Sequence, residues 1–399
     1  MKDKEIEKLI KEEEKRQKSV VNLIASENYV SDDVLKALGS KLTNKYAEGY
    51  PGKRYYGGNR VIDKIENLCI KRALKAFKLS PKKWHVNVQP LSGSPANLAV
   101  YLALVPQGSK IMGMSLAHGG HLTHGHFVSA SGKFWIQVPY GVDKETEVLD
   151  YKKIKEQAIK EKPAIIVAGF TAYPRTIDFK KFREIADAVV YPESNRRGAY
   201  LMVDMSHFAG LVAGGAYPSP FVYADVVTTT VHKTLRGPRS AMIFSKIDER
   251  DLGKKIDKAV FPGLQGGPHM NQIAAVSAAL KEAMSPAFKK YAKQVIKNAQ
   301  VLADELKKLG WRIVSGGSDS HLILVDVWMN GKGITGSEAS DKLEKAGIIV
   351  NKNAIPFDSR KPFDPSGIRL GTAGETTRGA KEKDMKNIAR RIDKILRTK

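Results

Sequence analysis

The sequence predicts an α/β protein in which a mostly parallel sheet lies between layers of helices and is followed by a smaller α+β domain. Short apolar runs bounded by Gly, Pro or polar residues alternate with helical patterns. Several of these runs are apolar on both faces, as parallel strands buried between helices must be. After Pro268 long helical stretches precede further short strands, which indicates a second domain.

The N-terminal segment is predicted to be a helix followed by an irregular arm. Ile6, Leu9 and Ile10 form one apolar stripe among the charges of residues 2–18, which predicts an amphipathic helix lying on another surface. The following residues, 19–56, lack a clean period apart from a predicted helix over Asp32–Leu42.

Three parts are predicted along the chain: an N-terminal helix and arm over 1–45, a large α/β domain over 46–275 and a small α+β domain over 276–399. The large domain is predicted to contain the helix DKIENLCIKRALKAF (63–77) and the strands WHVNVQ (84–89), SKIMGMSL (109–116), AIIVAGF (164–170), AYLMVDM (199–205) and ADVVTTT (224–230). In the small domain, two long helical stretches are predicted to be followed by strands and a final helix. The strands are WRIVSGG (311–317), HLILVDVWM (321–329) and GIIVNKNAIP (347–356), and the helix covers 381–399.

The composition narrows the class of protein. The 399 residues include 66 Lys and Arg against 42 Asp and Glu, a net charge of +24, and one cysteine, Cys69. A single cysteine excludes an internal disulfide framework and is typical of a reducing compartment. With no apolar run of membrane-spanning length and a charged start from Lys2 onward, we expect a cytoplasmic protein. The basic residues are interleaved with acids and carry no RNA-binding signature, so nucleic acid is not expected as the primary partner.

Polar residues gather where predicted strands end, and ligands of open α/β sheets bind outside the carboxyl ends of the strands. One strand ends in Asp204 with His207 just beyond it, and the next is followed by His232 and Lys233. The turn LSGSPAN places residues 92–94 at the start of a predicted helix, where free backbone N–H groups bind anions. Taken singly, the turn is explained by helix capping and the lysine by a strand end reaching solvent.

Together these groups predict a pyridoxal phosphate site. Such a site needs a lysine for the aldehyde, a carboxylate that keeps the ring nitrogen protonated and an N-terminal turn for the phosphate. Lys233, Asp204 and residues 92–94 supply these three groups. A lysine that follows a buried strand is also partly desolvated, which frees its amine as a nucleophile.

Eight stretches of the sequence resemble serine hydroxymethyltransferase, the pyridoxal phosphate enzyme that moves a one-carbon unit between serine and glycine. They are LIASEN (23–28), KYAEGYPGKRYYGG (45–58), LSGSPAN (91–97), AHGGHLTHG (117–125), VDMSH (203–207), HKTLRGPR (232–239), FPGLQGGP (261–268) and GIRLGT (367–372). The resemblance implies an aspartate-aminotransferase-like large domain. It also implies serine, glycine and tetrahydrofolate or a related pterin as substrates, and a homodimer or tetramer with shared active sites.

The resemblance also implies roles for the cofactor-binding residues. Lys233 forms the Schiff base, Asp204 pairs with the ring nitrogen, His207 lies beneath the ring and His121 stacks on its other face. The remaining cofactor contacts that it implies are Ser92, Gly93, Ser94, Thr171, Thr230, His232, Arg239 and, from a neighbouring subunit, Gly266 and Gly267.

Further roles concern the amino acid and the pterin. Arg369 is implied to grip the substrate carboxylate, a task that suits its planar fork. Ser26 and the partner chain's Tyr56 assist substrate binding, and Glu48, with Tyr46 close by, manages the proton of the substrate hydroxyl. The substrate contacts that the resemblance adds are Leu116, Gly120 and Leu122.

Two other interpretations stay open at this stage. A threonine aldolase or aminotransferase of the same fold shares Asp204 and Lys233 but has no use for Glu48. Zinc could bind histidines of the segment 117–126, but no metal site is expected because no cysteine lies nearby and two glycines separate the first pair.

The sequence departs from the family pattern at four places. Thr171 stands where many relatives have serine, and Val231 replaces the last threonine before His-Lys. Ala373-Gly374 replaces Pro-Ala, which is expected to loosen the backbone. Residues 190–197 look like an insertion and are predicted to form a surface loop. Because no catalytic group is lost, we expect effects on rate and folate fit rather than on the class of reaction.

Overall fold

The structure is a computed structural model that describes residues 1–191 and 196–398. Numbered in chain order, its strands are β1 Val21–Asn22, β2 Gly49–Tyr50, β3 Lys53–Arg54, β4 Trp84–Asn87, β5 Lys110–Met114, β6 Ile136–Tyr140, β7 Ile165–Gly169, β8 Val190–Tyr191, β9 Arg196–Arg197, β10 Tyr200–Asp204, β11 Val226–Thr230, β12 Ala241–Lys246, β13 Arg312–Ile313, β14 Leu322–Asp326, β15 Ile348–Ile349, β16 Asn351–Asn353 and β17 Gly367–Gly371. Its α-helices are α1 Lys4–Ser19, α2 Asp32–Leu38, α3 Arg60–Ala76, α4 Gly93–Leu104, α5 Ala130–Phe134, α6 Tyr151–Glu161, α7 Phe179–Asp187, α8 Ala209–Ala213, α9 Leu252–Lys258, α10 Met270–Ala283, α11 Pro286–Lys308, α12 Gly336–Lys345, α13 Ala373–Thr377 and α14 Glu382–Arg397.

The large sheet confirms the predicted α/β class. Its strand order is β4-β12-β11-β10-β7-β5-β6, and only the pairings made by β12 are antiparallel. The five strands predicted in this domain are present, whereas β6 and β12 were not predicted.

The large sheet is covered on both faces, which explains its apolar strands. In β10, Leu201 and Val203 belong to one core and Met202 belongs to another. Because neighbouring side chains of a strand point to opposite faces, the two cores lie on opposite sides of the sheet. Polar residues are thereby left to the strand ends.

The C-terminal residues form a second sheet with its own core. Its order is β13-β14-β17-β16 with antiparallel pairing throughout. Helix α10 packs in the core of the large sheet, and α11 contributes to both cores, with Val295 in the first and Ala299 in the second. The boundary near residue 276 stays a prediction.

The N-terminal arm differs from two expectations. Helix α1 buries none of its residues, so the expected packing of Ile6, Leu9 and Ile10 on another surface is not found within the single chain. The helix predicted over Asp32–Leu42 ends at Leu38. Gly39 closes its last turn by donating to backbone carbonyls, and a separate short turn covers Lys41–Asn44.

Two departures from the family pattern also have a described structure. The ends of the 190–197 segment form the short antiparallel pair β8 and β9, and residues 192–195 lie outside the described residues. Ala373 and Gly374 begin the buried helix α13, so the expected loosening of the backbone gives way to a helical turn. Among the described helices, none is both long and apolar enough to cross a bilayer.

Candidate active site

A cavity of about 300 Å³ opens where β7, β10 and β11 end and α4 begins. Residues from both sheets and from the N-terminal arm line it: Ser26, Ser92, Gly93, Ser94, Asn97, His121, Phe170, Thr171, Asp204, Ser206, His207, Thr230, His232, Lys233, Arg239 and Arg369. A larger groove of about 680 Å³ near Phe77, Trp84 and Phe221 is mainly apolar. The first cavity is therefore the candidate site, because charged and polar side chains able to act on a ligand line it.

Asp204 is a buried carboxylate held by three donors. It ends β10 and accepts hydrogen bonds from Asn97 Nδ2 at 2.9 Å, Ser206 N at 3.0 Å and His124 Nε2 at 3.3 Å. Burial by itself raises the pKa of this carboxyl, but His124, His121 and Ser206 more than offset it, so the pKa lies below its ordinary value. Asp204 is therefore an anion facing the cavity.

Lys233 follows the end of β11 and borders the same cavity. Burial, its largest influence, lowers the pKa of the amine to about 8. The carboxylate of Asp204 acts in the opposite direction, whereas Arg369 and Arg239 add to the lowering. About a tenth of the amine is therefore unprotonated at pH 7, far more than for a lysine of ordinary pKa, and this neutral form is the nucleophile.

A pair of neutral imidazoles lies under the cavity. His207 Nδ1 is 3.2 Å from His321 Nε2, and both rings are buried. Burial first, and then nearby cations, lowers the pKa of His207 well below its ordinary value and that of His321 to about 3. Each ring is thus neutral, and one N–H lies between the two nitrogens.

The start of α4 supplies unused donors. Ser92 precedes the helix in an extended conformation and its side chain makes no capping hydrogen bond, so the simple capping explanation does not hold for it. A Cβ on Gly93 would lie 2.7 Å from Thr230 Cγ2, so only glycine fits this close approach. His232 Nδ1 is buried and has no partner among the described residues. These groups are available to an anionic ligand.

Arg369 presents one side of its guanidinium to the cavity. This buried side chain on β17 donates from Nε to Asn351 Oδ1 at 3.1 Å and from Nη1 to the carbonyl oxygen of Thr171 at 2.7 Å. Burial lowers its pKa to about 10, so it stays charged at neutral pH. Nη2 has no hydrogen bond to another described residue and is left for a ligand.

A second cluster lies apart from the cavity, and we call it the tyrosine cluster: Tyr46, Glu48, Tyr56, Gly266 and Gly267. Tyr46 Oη donates to Glu48 Oε1 at 3.2 Å, and the Tyr46 and Tyr56 ring centroids are 5.1 Å apart. A Cβ on either glycine would lie 3.2 Å from Glu48 or Tyr46. Both tyrosine rings are about half exposed, at 54% and 49%. No member of the cluster lines the cavity of its own chain.

The histidine-rich segment is divided among separate contacts. His121 lines the cavity and His124 contacts Asp204, whereas His118 contacts the backbone of Val142 and His126 that of Val128. In residues 1–191 and 196–398 no group of three His, Cys, Asp or Glu side chains is arranged to hold a metal ion. Of the other expected substrate contacts, Leu116 and Leu122 are partly exposed and, with Gly120, do not line the cavity.

Comparison with known proteins identifies the family. A model of the family described as serine hydroxymethyltransferase matches residues 1–392. The chain belongs to the serine hydroxymethyltransferase family. The serine hydroxymethyltransferase of Desulfotalea psychrophila is 56% identical over 394 residues, which cover 99% of this chain and 88% of the relative. That of Koribacter versatilis is 54% identical over 395 residues, covering 99% and 89%.

The match confirms the expected class of enzyme. Serine hydroxymethyltransferases use pyridoxal phosphate and interconvert serine and glycine with tetrahydrofolate as cosubstrate. The predicted fold, transferase class and cofactors are therefore confirmed. The roles of individual residues stay predictions.

The residues that line this cavity fit pyridoxal phosphate. An anionic carboxylate and an amine with a lowered pKa border one cavity, which is also lined by a helix N-terminus, the uncapped Ser92 and His232 with its unpartnered Nδ1. These features match a cationic ring nitrogen, an aldehyde and a phosphate. The fit rests on donors and acceptors that the fold leaves unused.

Sequence reasoning missed several residues that organise the site. Asn97, His124 and Ser206 hold Asp204, and His321 contacts His207. Asn28 donates from Nδ2 to the backbone carbonyl of Lys233 at 2.9 Å. Asn28, Asn97 and His124 lie inside stretches that carried the resemblance, which was the available signal. His321 lies outside them.

Proposed function

We propose that this chain converts serine and tetrahydrofolate to glycine and 5,10-methylenetetrahydrofolate at the cavity bordered by Lys233, Asp204 and Arg369. One observation carries the proposal: a buried amine with a lowered pKa, a buried carboxylate and an arginine with a free Nη2 share one cavity. Bound pyridoxal phosphate supplies the electron sink for breaking a bond to the α-carbon of the amino acid.

The chain's own groups prepare this reaction. Lys233 would hold the cofactor through its aldehyde, and Asp204, whose carboxylate stays ionised, would keep a proton on the ring nitrogen. Arg369 Nη2 binds the carboxylate of serine and so fixes the orientation of the amino acid. Glu48 of a second copy of the chain would move the proton of the serine hydroxyl, a role that requires hydrogen-bond reach of that oxygen.

Replacing the guanidinium of Arg369 tests the function directly. In Arg369→Lys the charge remains, but Nε and Nη1 no longer anchor the group to Asn351 and Thr171. We expect the KM for serine to rise about 10- to 100-fold, the effect of losing a hydrogen bond between charged groups, with a smaller change in kcat. The measurement is glycine formation from serine with tetrahydrofolate as acceptor.

Arg312→Lys is the matched control, because Arg312 lies in the same sheet but pairs with Glu147 and Asp326. Its KM should equal that of the wild type. An unchanged KM in Arg369→Lys, or glycine formation that does not depend on tetrahydrofolate, would contradict the proposal.

We further propose that the tyrosine cluster completes the cavity of a second copy in a homodimer or larger assembly. Its half-exposed tyrosine rings and the carboxylate of Glu48 lie away from the cavity of their own chain. In a two-fold symmetric dimer the same patch of each chain faces the other chain. Glu48, Tyr46, Tyr56, Gly266 and Gly267 would then act on the partner's substrate and cofactor.

Subunit complementation tests this arrangement. Lys233→Ala and Glu48→Gln, each inactive alone, are coexpressed with different tags. If the two groups act in one site across the interface, a hybrid dimer has one intact site, and random pairing restores about a quarter of the wild-type activity. Lys233→Ala with Asp204→Asn, two changes on the same side of the site, should restore none. Equal activity from both mixtures would refute the shared site.

We propose that the enzyme acts in the cytoplasm. The single cysteine, Cys69, is buried and unpaired, as suits a reducing compartment. Serine, glycine and folates are its small-molecule partners.

A further inference from the structure

A line of hydrogen bonds runs from β11 to His121 through two residues that have no assigned role, Asn97 and Thr123. Thr228 Oγ1 is 2.7 Å from Asn97 Oδ1, and Asn97 Nδ2 is 2.9 Å from Asp204 Oδ2 and 2.8 Å from Thr123 Oγ1. Thr123 Oγ1 is 2.7 Å from His121 Nδ1. Asn97 and Thr123 are buried, so water does not substitute for these partners.

The charge of Asp204 fixes the direction of the first bonds. A carboxylate accepts hydrogen bonds and cannot donate them, so the amide of Asn97 must present its NH₂ group to Asp204. Its oxygen then faces Thr228, whose hydroxyl donates to it. The second hydrogen of the same NH₂ group is donated to Thr123 Oγ1.

The direction of these bonds then determines where the proton of His121 lies. Thr123 Oγ1 accepts from Asn97 and keeps its own hydrogen, which it donates to His121 Nδ1 because the neighbouring backbone N–H already requires a lone pair on that nitrogen. The backbone N–H of Thr123 also donates to that nitrogen, at 3.2 Å. With two donors, Nδ1 must offer a lone pair, and the ring proton lies on Nε2. An imidazolium would place an N–H against both donors.

His124 is fixed in the same way. Its Nδ1 accepts from the backbone N–H of His121 at 3.3 Å, and its Nε2 donates to Asp204. A neutral ring with its proton on Nε2 satisfies both contacts. Asp204 Oδ2 thereby receives two donors, and within residues 1–191 and 196–398 Oδ1 receives only Ser206 N, which leaves an Oδ1 lone pair for a ligand.

We propose that Asn97 and Thr123 are positioning residues that hold His121 as a neutral imidazole protonated on Nε2, while the same Asn97 amide group helps to hold Asp204 as an anion. The proposal rests on the proposed function, because His121 and Asp204 both line the cavity in which the cofactor is proposed to bind. A protonated ring nitrogen needs the anion of Asp204, whereas an imidazolium stacked on that ring would repel it. The same network of hydrogen bonds thus keeps Asp204 charged and His121 neutral.

Ring ¹⁵N NMR of the holoenzyme tests the proposal without using activity. The protein is labelled at its histidine rings and studied by magic-angle spinning, and the His121 signals are assigned by their loss in His121→Gln. In the wild type we expect Nδ1 of His121 to be unprotonated and Nε2 to be protonated. In Thr123→Val the hydroxyl donor is lost, and we expect the ratio of the two tautomers to fall about five- to tenfold, as for one neutral hydrogen bond. Thr123→Ser, which keeps the hydroxyl, should restore the wild-type ratio.

Thr376→Val is a matched control for the loss of a buried threonine hydroxyl. Thr376 accepts from Asn298 Nδ2 at 2.9 Å and donates to a backbone carbonyl at 2.7 Å, but it has no histidine partner. It should lose stability as Thr123→Val does and leave the His121 signals unchanged.

Two results overturn the proposal: a proton on Nδ1 of His121 in the wild type, or a tautomer ratio in Thr123→Val equal to that in Thr376→Val. The wild-type spectrum decides the first point even where Thr123→Val does not fold. Failure of the Arg369→Lys test would refute the proposed function and leave this spectrum interpretable.

Discussion

Lys233→Ala should lower the rate of glycine formation by a factor on the order of 10³ or more, the largest effect expected of any single substitution here. The described cavity has no other lysine among its lining residues, so no second amine replaces the lost one. Borohydride treatment should leave the cofactor covalently attached to the wild-type peptide that contains Lys233, and to no peptide of the variant. Labelling of another peptide, or full activity in the variant, would show that the site has been misassigned.

Lys233→Arg separates the nucleophile from its charge. Arginine restores a cation beside Asp204 but cannot be deprotonated in a protein, so it cannot attack an aldehyde. We therefore expect Lys233→Arg to be as inactive as Lys233→Ala and to take up no borohydride-stable cofactor. Activity recovered by arginine would mean that Lys233 acts through its charge alone.

The pKa of Lys233 predicts how cofactor capture depends on pH. In the apoenzyme the amine titrates at about 8, below the ordinary value of 10.5, and only the neutral form attacks the aldehyde. The rate of reconstitution should therefore rise with pH and level off above about 8. Between about 8 and 10.5 the unfolded chain binds more protons at this group than the folded chain. The contribution of Lys233 to stability therefore increases with pH over that interval.

Most of the fold could be predicted because its strands are apolar on both faces. β11 is buried throughout and β10 in every residue after Tyr200, and such runs stand out from their polar ends. β6 was missed because it contains Pro139 and alternates buried and exposed residues at the end of the sheet's strand order. The Asp32–Leu42 helix was predicted too long because Gly39 ends it, a local signal that the apolar pattern outweighed.

The site was predictable only where one residue carries recognisable chemistry. Asp204 and Arg369 lie in strands and Lys233 follows one, each with characteristic neighbours in the sequence, and the structure brings them to one cavity. Asn97 contacts Asp204, which is 107 positions away in the chain. His321 contacts His207, which is 114 positions away. No local pattern encodes such contacts. The tyrosine cluster shows a second limit, since it does not line the cavity of its own chain and we propose that it acts in the cavity of another copy.

Asp204→Asn should lower kcat by about 10²- to 10³-fold, the effect of removing a preorganised charge from a reacting group. The substitution keeps the size of the side chain but imitates a protonated carboxyl at every pH. Because the pKa of Asp204 lies below its ordinary value, the wild type keeps the anion throughout the neutral range. The ring nitrogen of the cofactor should lose its proton in the variant, which a shift in the absorption of the bound cofactor would record.

A loss of stability does not by itself lower kcat in the folded protein. Asp225→Asn is the control that measures how much a lost buried charge lowers kcat through stability alone. Asp225 is also a buried aspartate of the large sheet's core region, held by Arg183, Arg250 and the backbone N–H of Leu201. Removing its charge should lower the free energy of unfolding by about 3 kcal/mol and leave kcat unchanged in the folded fraction. Asp204→Asn leaves an NH₂ group facing the donors Asn97 and His124, which costs about 1–3 kcal/mol. If the two variants lost kcat to the same extent, the carboxylate of Asp204 would have only a structural role.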